Sequence, residues 1–208
     1  VLLKDQAYSA LKDRIIGGQD PPGSFLSERK LVEQLSMSKT PIRAALERLE
    51  SEGFVNVSPQ QGIIIREPSL PEIADQFEIR FVLESYVLRR ISGRLENDQI
   101  RQIQENLKAQ EQAAESKDLE SAIQLDGDFH LLLCSFQGNR EIQKVMRRLR
   151  EKIFWVIRMV FQQGTPNRIQ PNWMEHQGIA EAVFNGEEER AISLLSRHFE
   201  YGKKLLLR

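Results

Sequence analysis

The sequence predicts a mainly α-helical chain in two parts: short helices and a β-hairpin in the first third, then an all-α bundle of six to seven helices. Three observations carry this. Apolar residues recur at three- and four-residue spacing through most of the chain. The one clear pair of β-type runs, Phe54-Val55-Asn56-Val57 and Ile63-Ile64-Ile65, flanks the turn-forming Ser58-Pro59-Gln60-Gln61-Gly62. Two prolines in Pro68-Ser69-Leu70-Pro71 then stop the second run, and Ser69 with Glu72 three residues on has the form of a capping box.

Taken in order, Leu11, Ile15 and Ile16 mark a first helix over Tyr8–Ile16, closed by Gly17-Gly18 and Pro21-Pro22-Gly23. Ser27 opens a second helix through Leu31 and Leu35. Ser38 opens a third, with Pro41 in its first turn, where a missing N–H costs little, and Ile42, Ala45, Leu46 and Leu49 on one face. Two short helices joined by Ser36-Met37-Ser38 make a helix-turn-helix candidate. The hairpin that follows Glu52-Gly53 supplies a wing, so residues 1–67 read as a winged helix-turn-helix, 68–71 as a linker and 72–208 as a second domain. In that domain the helical spacing runs through Ile73–Leu95, Ile100–Ala114, Leu119–Phe136, Ile142–Phe161, Trp173–Phe184 and Ala191–Leu207. The breaks fall at Glu96-Asn97-Asp98, Ser116-Lys117-Asp118, Gly138-Asn139, Gly164-Thr165-Pro166 and Asn185-Gly186.

Composition bounds the function. With 208 residues, 40% hydrophobic and 28% charged, the chain is of ordinary globular type. No apolar run approaches the ~20 residues of a membrane span, and Val1-Leu2-Leu3-Lys4-Asp5 lacks signal-peptide order, so a cytoplasmic protein is expected. The chain starts without Met, which leaves an N-terminal arm ahead of Val1 open. The lone Cys134 forms no internal disulfide and rules out cysteine-rich zinc motifs. Net charge is -1, and both parts are balanced, so DNA affinity has to come from cations placed locally.

Such cations exist. The outward positions of the third helix carry Lys39, Thr40, Arg43 and Arg48, and the second helix adds Arg29 near the turn. Arg bonds guanine bidentately, Thr meets a thymine methyl or a phosphate, and Ser38 with the helix N-terminal N–H groups holds a phosphate. A short recognition helix covers few base pairs, so useful affinity implies a homodimer on an inverted repeat of double-stranded DNA.

Here Leu26-Ser27-Glu28-Arg29-Lys30-Leu31, Ser38-Lys39-Thr40-Pro41-Ile42-Arg43-Ala44-Ala45-Leu46 and Leu49-Glu50-Ser51-Glu52-Gly53-Phe54-Val55 resemble the GntR family of bacterial transcriptional regulators, over residues 5–66. The resemblance implies base and phosphate contacts from Arg29, Lys39 and Arg43, support from Thr40, and Gly62 at the wing tip near the minor groove. Lys39 departs from the Arg more usual there, and a point charge reads bases less selectively than a planar fork. Gln60 and Gln61 are further wing residues within reach of a groove.

The three histidines, His130, His176 and His198, all lie in the helical part. Asp126 precedes His130 by four residues, on the same helix face. Counting from the Asn185-Gly186 turn brings His176 and His198 level on consecutive helices, so three helices can converge on one divalent ion: zinc, with nickel, manganese or iron as alternatives. Asp128 is the rival carboxylate, toward a different face.

Residues 71–208 also resemble the FCD domain of the FadR subfamily, through Phe77-Glu78-Ile79-Arg80-Phe81-Val82-Leu83-Glu84, Leu125-Asp126-Gly127-Asp128-Phe129-His130, Gly138-Asn139, Glu175-His176 and Arg197-His198. That resemblance implies an ion held by Asp126, His130, His176 and His198, a small organic acid as effector, and Arg80 reaching into its pocket; pairing with Glu84 four residues on is the plainer role for Arg80. Trp155, Phe154, Met159, Val160 and Phe161 read as core or dimer surface, with a pocket wall as the lesser alternative, and Arg147, Arg148, Arg150 and Lys152 as a solvated face from which one Arg can turn inward to bind a second carboxylate. Gly127 is out of place in a helix interior, costing roughly 0.5–1 kcal/mol against Ala. Two rival functions stay open at this point: a metal sensor with the ion as effector, and a metal-dependent hydrolase fused to a DNA-binding module, which lacks a well-placed general base.

Overall fold

The computed structural model describes residues 2–58, 62–162 and 169–206, without the side chains of 160–162, 169–171 and 205–206. The expectations for Gln60, Gln61, the break at Gly164-Thr165-Pro166 and the side chains of Val160 and Phe161 lie outside the described residues. Contacts divide the chain into two compact units, Val1–Ser69 and Leu70–Arg208.

In the first unit, α1 (Leu3–Ile16), α2 (Glu28–Leu35) and α3 (Lys39–Ser51) pack with a small antiparallel sheet of β1 (Phe25–Leu26), β2 (Val55–Ser58) and β3 (Gly62–Ile65), in the order β1-β3-β2. Ser27 caps α2, its side chain accepting from the Lys30 N–H at 3.2 Å. Ser36 ends α2 in the left-handed region, which turns the chain toward α3. Ala7, Leu11 and Ile15 of α1, Leu31 of α2, Ile42, Ala45 and Leu49 of α3, and Phe54, Val55, Ile63 and Ile65 of the wing are buried together as the core. Each large member contributes about 1.5–3 kcal/mol by leaving water. Two differences from the sequence reading appear. Strand β1 pairs Phe25 with Ile64, where a two-residue strand has no period to read. Helix α1 starts at Leu3, because its first turn, Lys4-Asp5-Gln6, is polar and carries no apolar spacing.

The second unit is all helical among the described residues: α4 (Leu70–Ile91), α5 (Asn97–Ser116), α6 (Leu119–Gln137), α7 (Arg140–Gln162), α8 (Ile169–Phe184) and α9 (Glu188–Leu206). Helix α6 packs against α4, α5 and α7, and α9 against α4 and α8. One core runs through all six, from Phe77 and Leu88 of α4 and Ile103 of α5 to Phe129 and Leu133 of α6, Met146 of α7, Ile179 of α8 and Leu195 of α9. The α4–α5 and α8–α9 turns meet at two glycines with positive φ. A Cβ on Gly93 would lie 3.1 Å from the Gly186 Cα, and the Gly93 N–H donates to the Val183 carbonyl at 2.8 Å. That close approach sits at the turn where α8 ends and α9 begins, the point from which the levels of His176 and His198 are counted. Among the described residues no helix is long and apolar enough to cross a membrane.

Candidate functional site

Asp126 and His130 come from one face of α6, His176 from α8 and His198 from α9, and each offers a ligand atom within 4.8 Å of the others. The three imidazoles are buried. His176 Nε2 lies 3.3 Å from His198 Nε2 and 3.5 Å from Asp126 Oδ1. Asp126 rather than Asp128 joins the histidines; Asp128 lies outside the cluster, 2.6 Å from Arg150 Nη2.

The other ring nitrogens explain the orientation. His130 Nδ1 lies 2.5 Å from Glu84 Oε2, His198 Nδ1 2.8 Å from Glu175 Oε2, and His176 Nδ1 2.8 Å from Gln110 Oε1. An ionised carboxylate only accepts, so His130 and His198 donate through Nδ1. Gln110 uses its NH2 on Asn106 at 2.7 Å and so turns its carbonyl oxygen to His176, which must donate as well. In the neutral rings every Nε2 is left with a bare lone pair, and the three converge beside a carboxylate. His130 Nε2 is buried with no hydrogen-bond partner. Lone pairs in this arrangement call for a cation.

The surroundings of the rings favour that state. Burial pushes the His130 pKa down, although Glu84 opposes it, and burial together with the neighbouring His198 and His130 rings pushes His176 well below the ordinary histidine range. Both shifts favour the neutral ring, the form that can offer a lone pair to a metal ion. Burial alone would raise Glu84, but His130 and the Arg80 guanidinium, 2.9 Å away, outweigh it and keep the carboxylate ionised. Arg80 is itself buried against Glu84 and over the Phe199 ring, 4.4 Å from its centroid.

Glu84, Gln110 and Glu175 therefore hold the rings that hold the cluster. From sequence, Glu84 reads as a partner for Arg80, and Glu175 as a neighbour of His176 that is poorly spaced for a general base; neither reads as a support for an imidazole. Gln110 gave no signal, since a glutamine on a polar helix is unremarkable until the opposite helix supplies an imidazole.

On the first unit, Arg29, Ser38, Lys39, Thr40 and Arg43 are all exposed on α2, α3 and the turn between them. Arg43 Nε pairs with Glu28 Oε2 at 3.0 Å and Arg29 Nε with Glu33 Oε1 at 3.1 Å. Gly62 opens β3 with φ +87° and pairs with Ser58 of β2. Arg48 faces away from this group: its guanidinium stacks 3.6 Å over the Tyr8 ring of α1 and bonds Glu52.

The family model for bacterial regulatory proteins of the gntR family matches residues 3–65, and the FCD domain model matches residues 75–201. The chain is 26% identical over 200 residues to the uncharacterized HTH-type transcriptional regulator YdhC of Bacillus subtilis strain 168, covering 94% of this chain and 87% of that protein. It is 27% identical over 164 residues to the HTH-type transcriptional repressor RspR of Escherichia coli K12, covering 79% and 72%. Among solved structures, E. coli McbR/YncC superposes with TM-score 0.82 at 24% identity, covering 99% of this chain and 97% of that one. A GntR transcriptional regulator from Rhodococcus sp. RHA1 gives 0.80 at 23%, covering 98% and 97%. The two structures carry the fold.

Proposed function

Because the chain belongs to the GntR family of bacterial transcriptional regulators and carries an FCD domain, we propose that it is a ligand-responsive regulator that binds an inverted-repeat operator as a homodimer. In this reading a small organic acid, anchored at a metal ion in the helical unit, changes its DNA affinity. The chain is a transcriptional regulator and not an enzyme, so the cluster has a ligand to hold rather than a reaction to run.

One observation carries the proposal: three buried imidazoles, each fixed through Nδ1, converge with Asp126 on a point where His130 Nε2 has no partner. Three nitrogens and one carboxylate oxygen suit a borderline divalent ion, zinc first, with nickel, manganese or iron as alternatives. Asp126, His130, His176 and His198 hold the ion. When bound, it supplies a positive charge for a carboxylate oxygen of the effector. Arg80 lines the adjoining cleft, paired with Glu84 and stacked over Phe199, and is the side chain proposed to meet the acid there.

At the other end of the chain, α3 reads the major groove. Lys39 and Arg43 contact bases and neighbouring phosphates, Thr40 supports them, and Ser38 with the first N–H groups of α3 takes a phosphate. Arg29 adds a contact from α2, and Gly62 lets the wing approach the minor groove. An effector that prefers the non-DNA arrangement of the dimer shifts the population away from the operator.

The test is a thermal-shift screen of the purified protein against small carboxylic acids, before and after chelation. A ligand bound only to the native state raises the melting temperature. One acid should give a shift that vanishes on chelation and returns with added Zn2+. Loss of stability on chelation with no response to any acid would make the ion structural or itself the effector. Indifference to chelation would sink the metal site.

A further inference from the structure

Helix α7 sends Arg150, Ile153, Phe154 and Ile157 into one wall of a cleft, at the 3–4 spacing of a single helical face. Asp126, Gly127 and His130 of α6 form the opposite wall. A cation in the middle of an apolar wall needs a reason to be there. Arg150 Nη2 is held by Asp128 Oδ1 at 2.6 Å, Gln124 Oε1 at 3.0 Å and the Gln124 carbonyl at 3.2 Å. Its Nε–H is buried with no hydrogen-bond partner.

Gly127 shows how the chain accommodates this side chain. A Cβ at Gly127 would lie 2.6 Å from Arg150 Nε and 3.0 Å from its Cγ, so a side chain there would push the arm off α6. Glycine is disfavoured in a helix interior, yet here its missing Cβ makes room for the Cγ–Nε arm of Arg150 against α6. Gly127 directly follows Asp126 and precedes His130 by three residues, one turn along the same helix. The unpaired Nε–H therefore rests on the same stretch of α6 that carries two of the candidate metal ligands.

The cleft is nearly full, with a free volume of about 20 Å3, room for about one water. An organic acid enters only if a side chain gives way. The Arg150–Asp128 pair is the weak point: the Asp128 side chain is 53% exposed, and an ion pair open to solvent holds loosely. A ligand carboxylate can replace Asp128 charge for charge while also taking the Nε–H, as the planar fork favours. Arg80 lines the same cleft, but its partner Glu84 is buried, so the Arg80–Glu84 pair stays closed where the exposed Arg150–Asp128 pair can exchange.

We propose that Arg150 is the second anchor of the effector, and that the effector is a short aliphatic dicarboxylate. One carboxylate sits at the ion held by Asp126, His130, His176 and His198; the other takes Arg150 from Asp128; Ile153, Phe154 and Ile157 cover the methylene spacer. This rests on the metal-anchored reading above and adds the ligand class and the side chain that selects it.

The experiment is calorimetric titration of the full-length, Zn2+-loaded protein with malonate, succinate and glutarate, against propionate and butyrate as single-carboxylate controls. One dicarboxylate should bind at least about 10-fold tighter than either control, as a charge-assisted hydrogen-bond pair provides. Arg150→Met should remove that preference, and Arg150→Lys should restore part of it. Asp128→Asn, a change at an exposed position that keeps the fold, should tighten dicarboxylate binding by removing the competitor. Controls that bind as tightly as the dicarboxylates, or binding unchanged in both R150M and D128N, would overturn the second anchor and leave the metal-anchored acid standing. No carboxylate binding at all, with zinc retained, would overturn both.

Discussion

Glu52 shows what a single side chain does in the first unit. It accepts from the Tyr8 hydroxyl at 2.7 Å and from Lys12 Nζ at 2.9 Å, while Arg48 bonds its other oxygen at 3.2 Å, so the C-terminal end of α3 is tied to the middle of α1. Burial would raise its pKa, but those hydrogen bonds outweigh it and hold the carboxyl below the ordinary glutamate value. A group depressed in the folded state contributes stability that is complete above the unfolded value of about 4.3 and is lost as pH falls through the folded one. Glu52→Gln should therefore cost about 1–3 kcal/mol at pH 7, because the hydrogen bonds from Tyr8, Lys12 and Arg48 then meet a neutral amide in place of a carboxylate. Hydrogen exchange of amides in α1 and α3 is the measurement, and the gap between variant and wild type should close as pH drops below about 4. Equal protection at pH 7 would make the knot ornamental. The sequence showed Glu52 only as a helix stop beside Gly53. Tyr8 lies 44 residues away, and no periodicity links two polar residues on separate helices.

At the scale of elements, apolar spacing marked every helix face, because burial repeats each turn and polar partners do not. What stayed hidden was pairing between elements. Arg43 was readable as an outward cation of α3, yet its bond to Glu28 of α2 depends on the αL turn at Ser36, whose crossing angle no spacing encodes. Glu28 holds the guanidinium in one place before DNA arrives, which reduces what binding must order. Arg43→Ala should thus weaken binding to an operator fragment, recovered by in vitro selection with the wild-type protein, by at least about 10-fold, as expected for a bidentate base contact. Metal content and acid-induced thermal shift should stay at wild-type values, since Arg43 and the histidine cluster belong to different units. Gel-shift titration beside zinc analysis separates the outcomes: loss of both would mean that the two units do not act as separate modules.

For the whole molecule, the cluster was legible because histidine is scarce: with only three in 208 residues, their places on successive helices could be counted from one turn. Glu84 and Gln110 were not, since acidic and amide side chains are common, and only packing shows which are buried. The regulatory reading then makes a demand that belongs to neither unit alone. If the acid alters operator affinity by some factor, the operator must alter acid affinity by the same factor, because both paths around the binding cycle end in the same complex. Operator Kd is to be measured with and without saturating acid, and acid Kd with and without saturating operator, at one salt concentration, because phosphate contacts make DNA affinity steeply salt-dependent. The two ratios should agree and differ from one by about 5- to 150-fold, the usual span of allosteric coupling. Ratios of one on both sides would leave the acid as a bound cofactor that stabilises the helical unit without reporting to DNA. A half-operator fragment should bind far more weakly than the full inverted repeat, since a dimer then loses one of its two recognition helices.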